Sequence, residues 1–549
     1  MPEDHGALRL LVSGGLCFDG TGSPPRRADV GIALDGRIAF VRDASARQAH
    51  IHAERVIDAT GMAVCPGFID THAHSEFTLL ADARGEGKVL QGVTTEINGN
   101  CGLSAAPLFG PAATQRAPDL AEYAIAARWE TFAEYFRHLS EAGPVMNHAT
   151  LVGHGNLRAS VMGYSDRAPS EGEMARMKAL VREAVEAGAL GLSTGLIYPP
   201  GVYSTPAEIA ALVAEGVAAR GTGAFVYASH MRSESEGLLA SIAETLDVGR
   251  ATGAAVHVSH IKTGSPGVWH MADAAIALLE AARAEGMSVS VDRYPYTASS
   301  TDLDALLPAW AFEGGREAEL ERLRDGGALG RMRAHLAGRD EVFWSSVAVS
   351  SVRGEANRWA EGLRMDEIAR RMGLAPFDAM VRLLLDENLG VGAIFHFMCE
   401  ENLSKFLALP YAMVGSDSAA RCLGGPTRTG LPHPRGFGSF PRFLGSVGPA
   451  MGGHGLHALI HKVTGLPALT FGLPGRGVLA EGHHADVVVF DPALIRDCAT
   501  YDEPYQPPLG VGCVIINGSV VAEHGCLTGE RPGRVLGWRH DHNPSMAGG

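Results

Sequence analysis

The run Val64-Cys65-Pro66-Gly67-Phe68-Ile69-Asp70-Thr71-His72-Ala73-His74 decides how the rest of the chain is read. An apolar segment ends in two histidines one residue apart. On a strand, residues spaced this way face the same side, so both imidazoles can aim into one pocket and share a cation. A lone His-x-His often arises by chance. Its weight here comes from further ligand-type residues at the ends of other strand-like runs.

Eight such runs can be picked out, at 63–69, 93–97, 149–152, 190–194, 225–229, 255–259, 289–292 and 412–415. Helical stretches lie between several of them. Ser170-Glu171-Gly172-Glu173 is a capping box, in which the Ser hydroxyl and the Glu three residues on satisfy orphan amides. It opens a helix to about Ala187, which Gly188 stops. The alternation predicts an α/β fold, a (β/α)8 TIM-like barrel with its chemistry at the C-terminal strand ends. A doubly wound open sheet shows the same alternation, and strand counting alone does not reject it.

The interval 295–410, between the seventh and eighth strands, is far longer than an ordinary βα loop. Helical stretches at 318–338 and 365–388 mark it as an inserted lid or subdomain. Both ends of the chain read as short strands instead. Leu10-Leu11-Val12, Val30-Gly31-Ile32 and Ile38-Ala39-Phe40-Val41 are punctuated by Asp19-Gly20 and Asp35-Gly36, and Val487-Val488-Val489 and Val514-Ile515-Ile516 repeat the pattern. Residues 1–62 and 476–549 are therefore expected to build one small β-sandwich domain beside a barrel of 63–475.

A chain of 549 residues that is 46% hydrophobic can bury a large core, yet no run approaches the ~18–20 apolar residues a spanning helix needs. The start, Met1-Pro2-Glu3-Asp4-His5, carries acid where a secretory signal carries base. Eight cysteines with no Cys-x-x-Cys pair do not form a disulfide framework, so a cytoplasmic location is expected. The net charge of −15 argues against nucleic-acid or anionic-membrane partners and leaves a small-molecule substrate.

Five strand ends carry residues that bind metal or move protons: His72 and His74, Cys101 in Asn98-Gly99-Asn100-Cys101-Gly102, His230, His260 and Asp417. A barrel brings those ends together. Cys101 could be a buried small hydrophobe and Asp417 a helix N-cap. A thiol between glycines in a polar turn favours a ligand, and the place of Asp417 at the eighth strand end favours catalysis. His257 is out of phase with His260 and is expected to face the helices. His483 and His484 read as surface or terminal-domain residues.

These residues resemble the amidohydrolase superfamily and, within it, the N-acyl-D-amino-acid deacylases (D-aminoacylases). The resemblance covers nearly the whole chain. It includes Pro66 through His74, Gly92-Val93-Thr94-Thr95 leading to Gly99-Asn100-Cys101-Gly102, and Gly191-Leu192-Ser193-Thr194-Gly195-Leu196-Ile197-Tyr198-Pro199-Pro200-Gly201. It continues through His260-Ile261-Lys262, Asp292-Arg293-Tyr294-Pro295-Tyr296, His433-Pro434-Arg435 and Gly438-Ser439-Phe440-Pro441-Arg442 to Ala485-Asp486. The cysteine is the specific mark, since other binuclear amidohydrolases typically place a carboxylated lysine between their metals.

The resemblance implies a tightly bound Zn2+ held by Cys101, His230 and His260, and a second, weaker position at His72, His74 and Asp417. It implies that Arg435, with Lys262 and Tyr294 or Tyr296, holds a substrate carboxylate, with Tyr198 also lining the substrate site. The stretch 418–432 departs from the family pattern: it is longer than usual and lacks a His-Asp-Ala-His run before His433. The expected activity is zinc-dependent hydrolysis of N-acyl-D-amino acids to a carboxylate and a D-amino acid, with Asp417 moving the proton. Two alternatives stand beside it. A cyclic-amide hydrolase of the hydantoinase or dihydroorotase type would use the lysine that Cys101 replaces. A non-catalytic scaffold would have lost ligands.

Overall fold

The computed structural model describes residues 7–44 and 52–537; the acidic start at 1–5 lies outside them. Barrel strands run in chain order: Phe68–Asp70, Val93–Asn98, Asn147–Thr150 continued by Val152–Gly153, Gly191–Gly195, Val226–His230, Ala255–Val258, Val289–Asp292 and Ala412–Met413. Every neighbouring pair among them is parallel. The ring closes where the Thr71 hydroxyl donates to the Val414 carbonyl at 3.2 Å, Asp417 N donates to the His72 carbonyl at 2.7 Å, and Ala73 bridges Ser418. Strand order without reversal, together with that seam, excludes the open doubly wound sheet.

Inside the ring Ile69, Ile97, Leu151, Leu190, Val226 and Met413 pack on Phe471, which plugs the lower end. The opposite faces of the strands, such as Val256, Val258, Val289 and Val291, pack on the surrounding helices Leu238–Thr252 and Ala272–Ala284. The helix Glu171–Ala187 forms as read, with Ser170 Oγ accepting from Glu173 N at 3.3 Å and Ser170 N donating to Glu173 Oε2 at 2.8 Å.

The first expected strand, 63–69, is in fact two. Ala63–Pro66 pairs antiparallel with Val487–Phe490 and parallel with the Leu16–Cys17 end of Leu8–Cys17, so it belongs to the terminal sheet. Only Phe68–Asp70 enters the barrel. The switch falls at Gly67, where a Cβ would sit 2.1 Å from Thr94 Oγ1; no side chain fits between the two sheets there. A continuous apolar run hides that change of partner, because both halves are equally buried.

Among the described residues the terminal sheet has nine strands, drawn from both ends of the chain. Val12, Val30 and Ile32 from one end share a core with Val487, Val489 and Ile515 from the other. Between the seventh and eighth barrel strands lies a three-stranded antiparallel sheet, Ser299–Asp302, Val391–Phe395 and Val347–Val352. It is covered by helices and has a core of its own built on Leu303, Leu320, Met332, Ile368 and Met380. Each long helix expected there breaks in two. Asp325 ends Arg316–Arg324 and caps Gly326–His335 by accepting from Ala328 N at 2.7 Å. Met365–Met372 stops at Gly373, and Pro376–Asp386 restarts on its proline.

One buried and two half-buried histidines are held neutral by this packing. Burial pushes His148, on the third strand, down to about 3, and His396 and His484 down to about 4. An unfolded histidine protonates near pH ~6.5, so each such group contributes stability above that pH and loses it as pH falls toward its folded value. For the fully buried His148 the expected loss is about 2 kcal/mol between pH ~6.5 and ~5, and the half-exposed His396 and His484 add less. Urea unfolding across that range checks this. A stability that does not fall, or a His148→Gln variant with an unchanged slope, rejects a neutral His148.

Candidate metal centre

The barrel mouth gathers the ligand-type residues by an unusual backbone device. Cys101, His260 and Asp417 each have positive φ, 54°, 35° and 52° respectively. Non-glycine residues seldom adopt that conformation, and where they do the surrounding structure must hold them. Each lies two to four residues past the end of its strand, and the left-handed residue swings its side chain back over the barrel mouth. At Cys101 the turn is packed tightly: Gly99, at φ 74°, would place a Cβ 2.0 Å from the Leu151 carbonyl.

His260 shows the effect plainly. Val256 and Val258 face the helices, so simple alternation would send residue 260 outward with them. Its positive φ turns it inward instead. His257, expected to face the helices, is the inward residue of that strand. Its Nε2 lies 3.0 Å from Asp292 Oδ2, its Nδ1 2.9 Å from Ser290 Oγ, and its ring edge meets Phe471. Both histidines therefore face the barrel interior, and the outward placement expected for His257 is corrected.

Cys101 Sγ lies 3.2 Å from His72 Nε2 and 3.5 Å from His260 Nε2. Burial raises its thiol, but the charges of His72 and His260, with a hydrogen bond to His260, outweigh this and hold it well below the ordinary thiol range. Asp417 Oδ1 lies 3.3 Å from His74 Nε2 and 3.6 Å from His72 Nε2. Its carboxyl too is held well below the usual range, against burial, chiefly by Arg435 and His74. Burial works against protonation of His74 and His260. Asp417 and Cys101 nevertheless draw His74 up to about 9, and Glu234 and Cys101 do the same for His260. Protons thus compete for positions that suit a cation.

Donor atoms of His72, Cys101, His260 and Asp417 all lie within 4.8 Å of one another, and those of His230, Glu234 and His260 form a second such group. His74 stands just outside the first, in contact through Asp417. His230 is buried beside His260, with ring centroids 4.4 Å apart, and neither of its nitrogens has a hydrogen-bond partner. A buried imidazole left unpartnered is costly unless something else takes its lone pair. That orphan, with a thiolate, imidazoles and a carboxylate around it, fits a zinc-type ion well.

Two acids in the surround went unread. Asp292, ending the seventh strand, accepts from His260 N and lies 3.2 Å from His72 Nδ1, which orients His72 with Nε2 toward the cluster. The charges of His72 and His257 keep it ionised in spite of burial. Its signal was the one used for Asp417, an aspartate at a strand's C-terminal end. Glu234 holds His260 Nδ1 at 2.9 Å and Lys262 Nζ at 2.5 Å. It sits in a loop, where no periodicity marks it.

The centre lies at the bottom of a cavity of about 590 Å³ roofed by the insertion. Arg435 Nη1 lies 2.8 Å from Asp417 Oδ2, its Nη2 donates to the Ser300 carbonyl at 3.2 Å, and the guanidinium rests 4.6 Å over the Tyr294 ring. His433 sets that arginine, accepting from Arg435 N at 3.0 Å while donating to the Ala298 carbonyl at 3.0 Å. Tyr294 lines the cavity, and its hydroxyl is buried without a partner. Tyr198 packs on His230 and reaches Thr301 Oγ1 at 3.0 Å. Lys262 lines the cavity but is engaged by Glu234. Tyr296 is a correction: it does not line the cavity, since its hydroxyl donates to Asp497 Oδ2 at 3.2 Å and its ring packs on Arg442. Two residues on from Tyr294 the chain has already turned away from the mouth.

Comparison with known proteins agrees with this geometry. Residues 55–522 match the amidohydrolase family. The chain is 37% identical over 535 residues to a D-aminoacylase of Alcaligenes xylosoxydans xylosoxydans, covering 97% of this chain and 98% of that one. It is 37% identical over 529 residues to an N-acyl-D-glutamate deacylase of the same organism, covering 96% of each. Its fold is similar to the crystal structure of N-acyl-D-glutamate deacylase from Bordetella bronchiseptica complexed with zinc and a phosphonate inhibitor. There the TM-score is 0.81 at 35% identity, covering 97% of this chain and 100% of that one. With a thiol at the heart of a barrel-mouth His and Asp cluster and this likeness along almost its whole length, the chain belongs to the amidohydrolase family and is a metal-dependent amidohydrolase of the D-aminoacylase group.

Proposed function

We propose that this protein hydrolyses the amide bond of N-acyl-D-amino acids, with zinc as its cofactor. The observation that carries the reading is Cys101, a buried thiolate within 3.5 Å of two imidazoles, at the foot of a cavity that also presents Arg435. Cys101, His230 and His260 would hold the tightly bound ion, and His72, His74 and Asp417 a second, weaker position. A bound divalent zinc polarises the acyl carbonyl and makes water acidic enough to attack near neutral pH.

The chain's own residues do the rest. Asp417, kept ionised by Arg435, takes a proton from the attacking water and delivers it to the leaving amine nitrogen. Arg435 spends one edge on Asp417 and offers its remaining N–H donors to the substrate carboxylate, so the substrate is anchored next to the base. Tyr294 lines the same cavity. Residues of the insertion, such as Thr301 and Phe312, form part of the cavity wall above the centre. All eight cysteines are free thiols, which suits a cytoplasmic enzyme, and no described helix is long and apolar enough to cross a membrane.

The test is amine release from paired N-acetyl-D- and N-acetyl-L-amino acids by the zinc-loaded protein, beside a hydantoin and a dihydropyrimidine. Turnover confined to the D-series is the expected result. Opening of the cyclic amides alone would replace this reading with the cyclic-amide one, and zinc binding without any turnover would favour a scaffold.

A further inference from the structure

The proposed base and the proposed carboxylate anchor are joined by a stretch with no ladder of its own. Between Met413 and Arg435 the chain forms neither helix nor strand, and 418–432 is where it departs from the family pattern. A segment of that kind stays in place only through groups that reach it from elsewhere. Its first half is held by the barrel. Ala420 N donates to Ser75 Oγ at 2.8 Å, Gly87 N to the Arg421 carbonyl at 2.8 Å, and Leu423 N to Glu86 Oε2 at 2.9 Å. Its second half leads into Arg435 and is gripped from other parts of the molecule. Leu431 N donates to the Ser350 carbonyl of the insertion at 2.7 Å, and two further grips come from the terminal domain.

The connection 491–510, between the terminal strands Val487–Phe490 and Val511–Ile516, reaches across as a braced arm. Arg496 and Leu509 exchange both backbone hydrogen bonds, at 3.2 Å and 3.0 Å, which closes its base. Thr500 N donates to the Glu503 carbonyl at 3.2 Å, which closes its tip. Asp497 fastens the arm, accepting from the Tyr296 hydroxyl at 3.2 Å and pairing with Arg442 at 3.3 Å. Tyr505 then holds Thr429 through one hydroxyl, accepting from its N at 2.9 Å and donating to its carbonyl at 2.7 Å. A phenol that both gives and takes in this way stands in for a strand partner. Its ring lies against Phe437, two residues beyond Arg435, with centroids 5.3 Å apart. Tyr501 walls His433, its ring centroid 5.1 Å away and its hydroxyl 3.5 Å from Nε2. Tyr296 meets the same imidazole edge-on, also at 5.1 Å. His433 takes the Arg435 N–H through Nδ1, so the plane of its ring sets where Arg435 begins.

We propose that Tyr505 and Tyr501 are positioning residues for the substrate carboxylate. From the terminal domain they fix 427–434, and through it the direction in which Arg435 presents its free N–H donors. The proposal rests on the deacylase reading, in which Arg435 is the carboxylate anchor. Neither tyrosine lines the cavity, so the substrate feels them only through Arg435. An anchor held in place beforehand spares the substrate the cost of ordering it.

The experiment compares the zinc-loaded parent with Tyr505→Phe and Tyr501→Leu. It measures kcat and KM for the N-acetyl-D-amino acid the parent turns over best, and Ki for acetohydroxamate, a metal-binding inhibitor without a carboxylate. It also follows hydrogen exchange at the Thr429 amide. The phenylalanine keeps the ring against Phe437 and loses only the two bonds to Thr429. KM should rise by about 10-fold in each variant, with kcat within about 3-fold and Ki unchanged. The Thr429 amide should exchange about 10-fold faster in Tyr505→Phe. An unmoved KM removes that tyrosine from the assignment, even where exchange quickens. A rise in Ki that matches the rise in KM, or a fall in kcat alone, marks a general disturbance of the centre and overturns the positioning role. Those results leave the deacylase reading standing, because the parent turns over. No turnover by the parent removes both readings together.

Discussion

Replacing Asp417 by asparagine should lower kcat by about 10³-fold or more, the range general acid–base residues supply. The amide keeps the size of the side chain and can still reach His74 and Arg435, 3.3 Å and 2.8 Å away in the native chain. It cannot take a proton from water, and so cannot return one to the leaving nitrogen. Cys101, His230 and His260 are untouched, so zinc content should persist at one equivalent per chain while turnover collapses. Full activity in the variant would sink the assignment of Asp417 as the base. Loss of zinc along with activity would make it a ligand whose removal empties the site.

The second large effect is expected behind the centre, at Lys88→Met. Lys88 is fully buried, with Nζ 2.7 Å from Asp70 Oδ2, 2.7 Å from Glu96 Oε1 and 2.9 Å from Ser416 Oγ. Burial opposes its charge, but those two carboxylates raise it above the ordinary lysine range. Removing the cation leaves the acids facing each other out of reach of water, a loss of ~3–5 kcal/mol for a broken buried pair. The site should suffer too. Asp70 Oδ1 accepts from Ser416 N at 2.8 Å and His72 N at 3.2 Å, so the Lys88–Asp70 pair clips the first strand end to the eighth. Urea unfolding of Lys88→Met, Glu96→Gln and the double variant provides the check. The double variant should recover part of the stability, because one stranded charge is gone. A Lys88→Met protein within ~1 kcal/mol of the parent would show that the buried charge cluster is not needed.

Much of the candidate metal centre was legible in the sequence, because the information is local. Histidines, a cysteine and an aspartate at strand ends follow from residue type and period, and a closed parallel barrel brings such ends together whatever the side chains between them. The helix at Glu171–Ala187 declared itself by its caps, and the insertion by its length. Asp292 and Glu234 did not, since their roles consist of contacts with residues far away in sequence: Asp292 with His72, 220 positions off, and Glu234 with Lys262, 28 positions off. His257 and Tyr296 were misplaced for a related reason. Alternation tells which neighbours share a face but not which face is the inside, and it fails altogether where a residue turns left-handed.

The sequence by itself thus determined the kinds of candidate ligand and the strands that carry them, through residue type and short-range periodicity, and it showed the family through motifs spread along nearly the whole chain. The tertiary structure alone decided which histidine faces the axis, where the chain changes sheets at Gly67, and that Arg435 lies against Asp417. Those outcomes depend on closing a ring of strands hundreds of residues apart, and on positive φ angles that only the closed ring can hold in place.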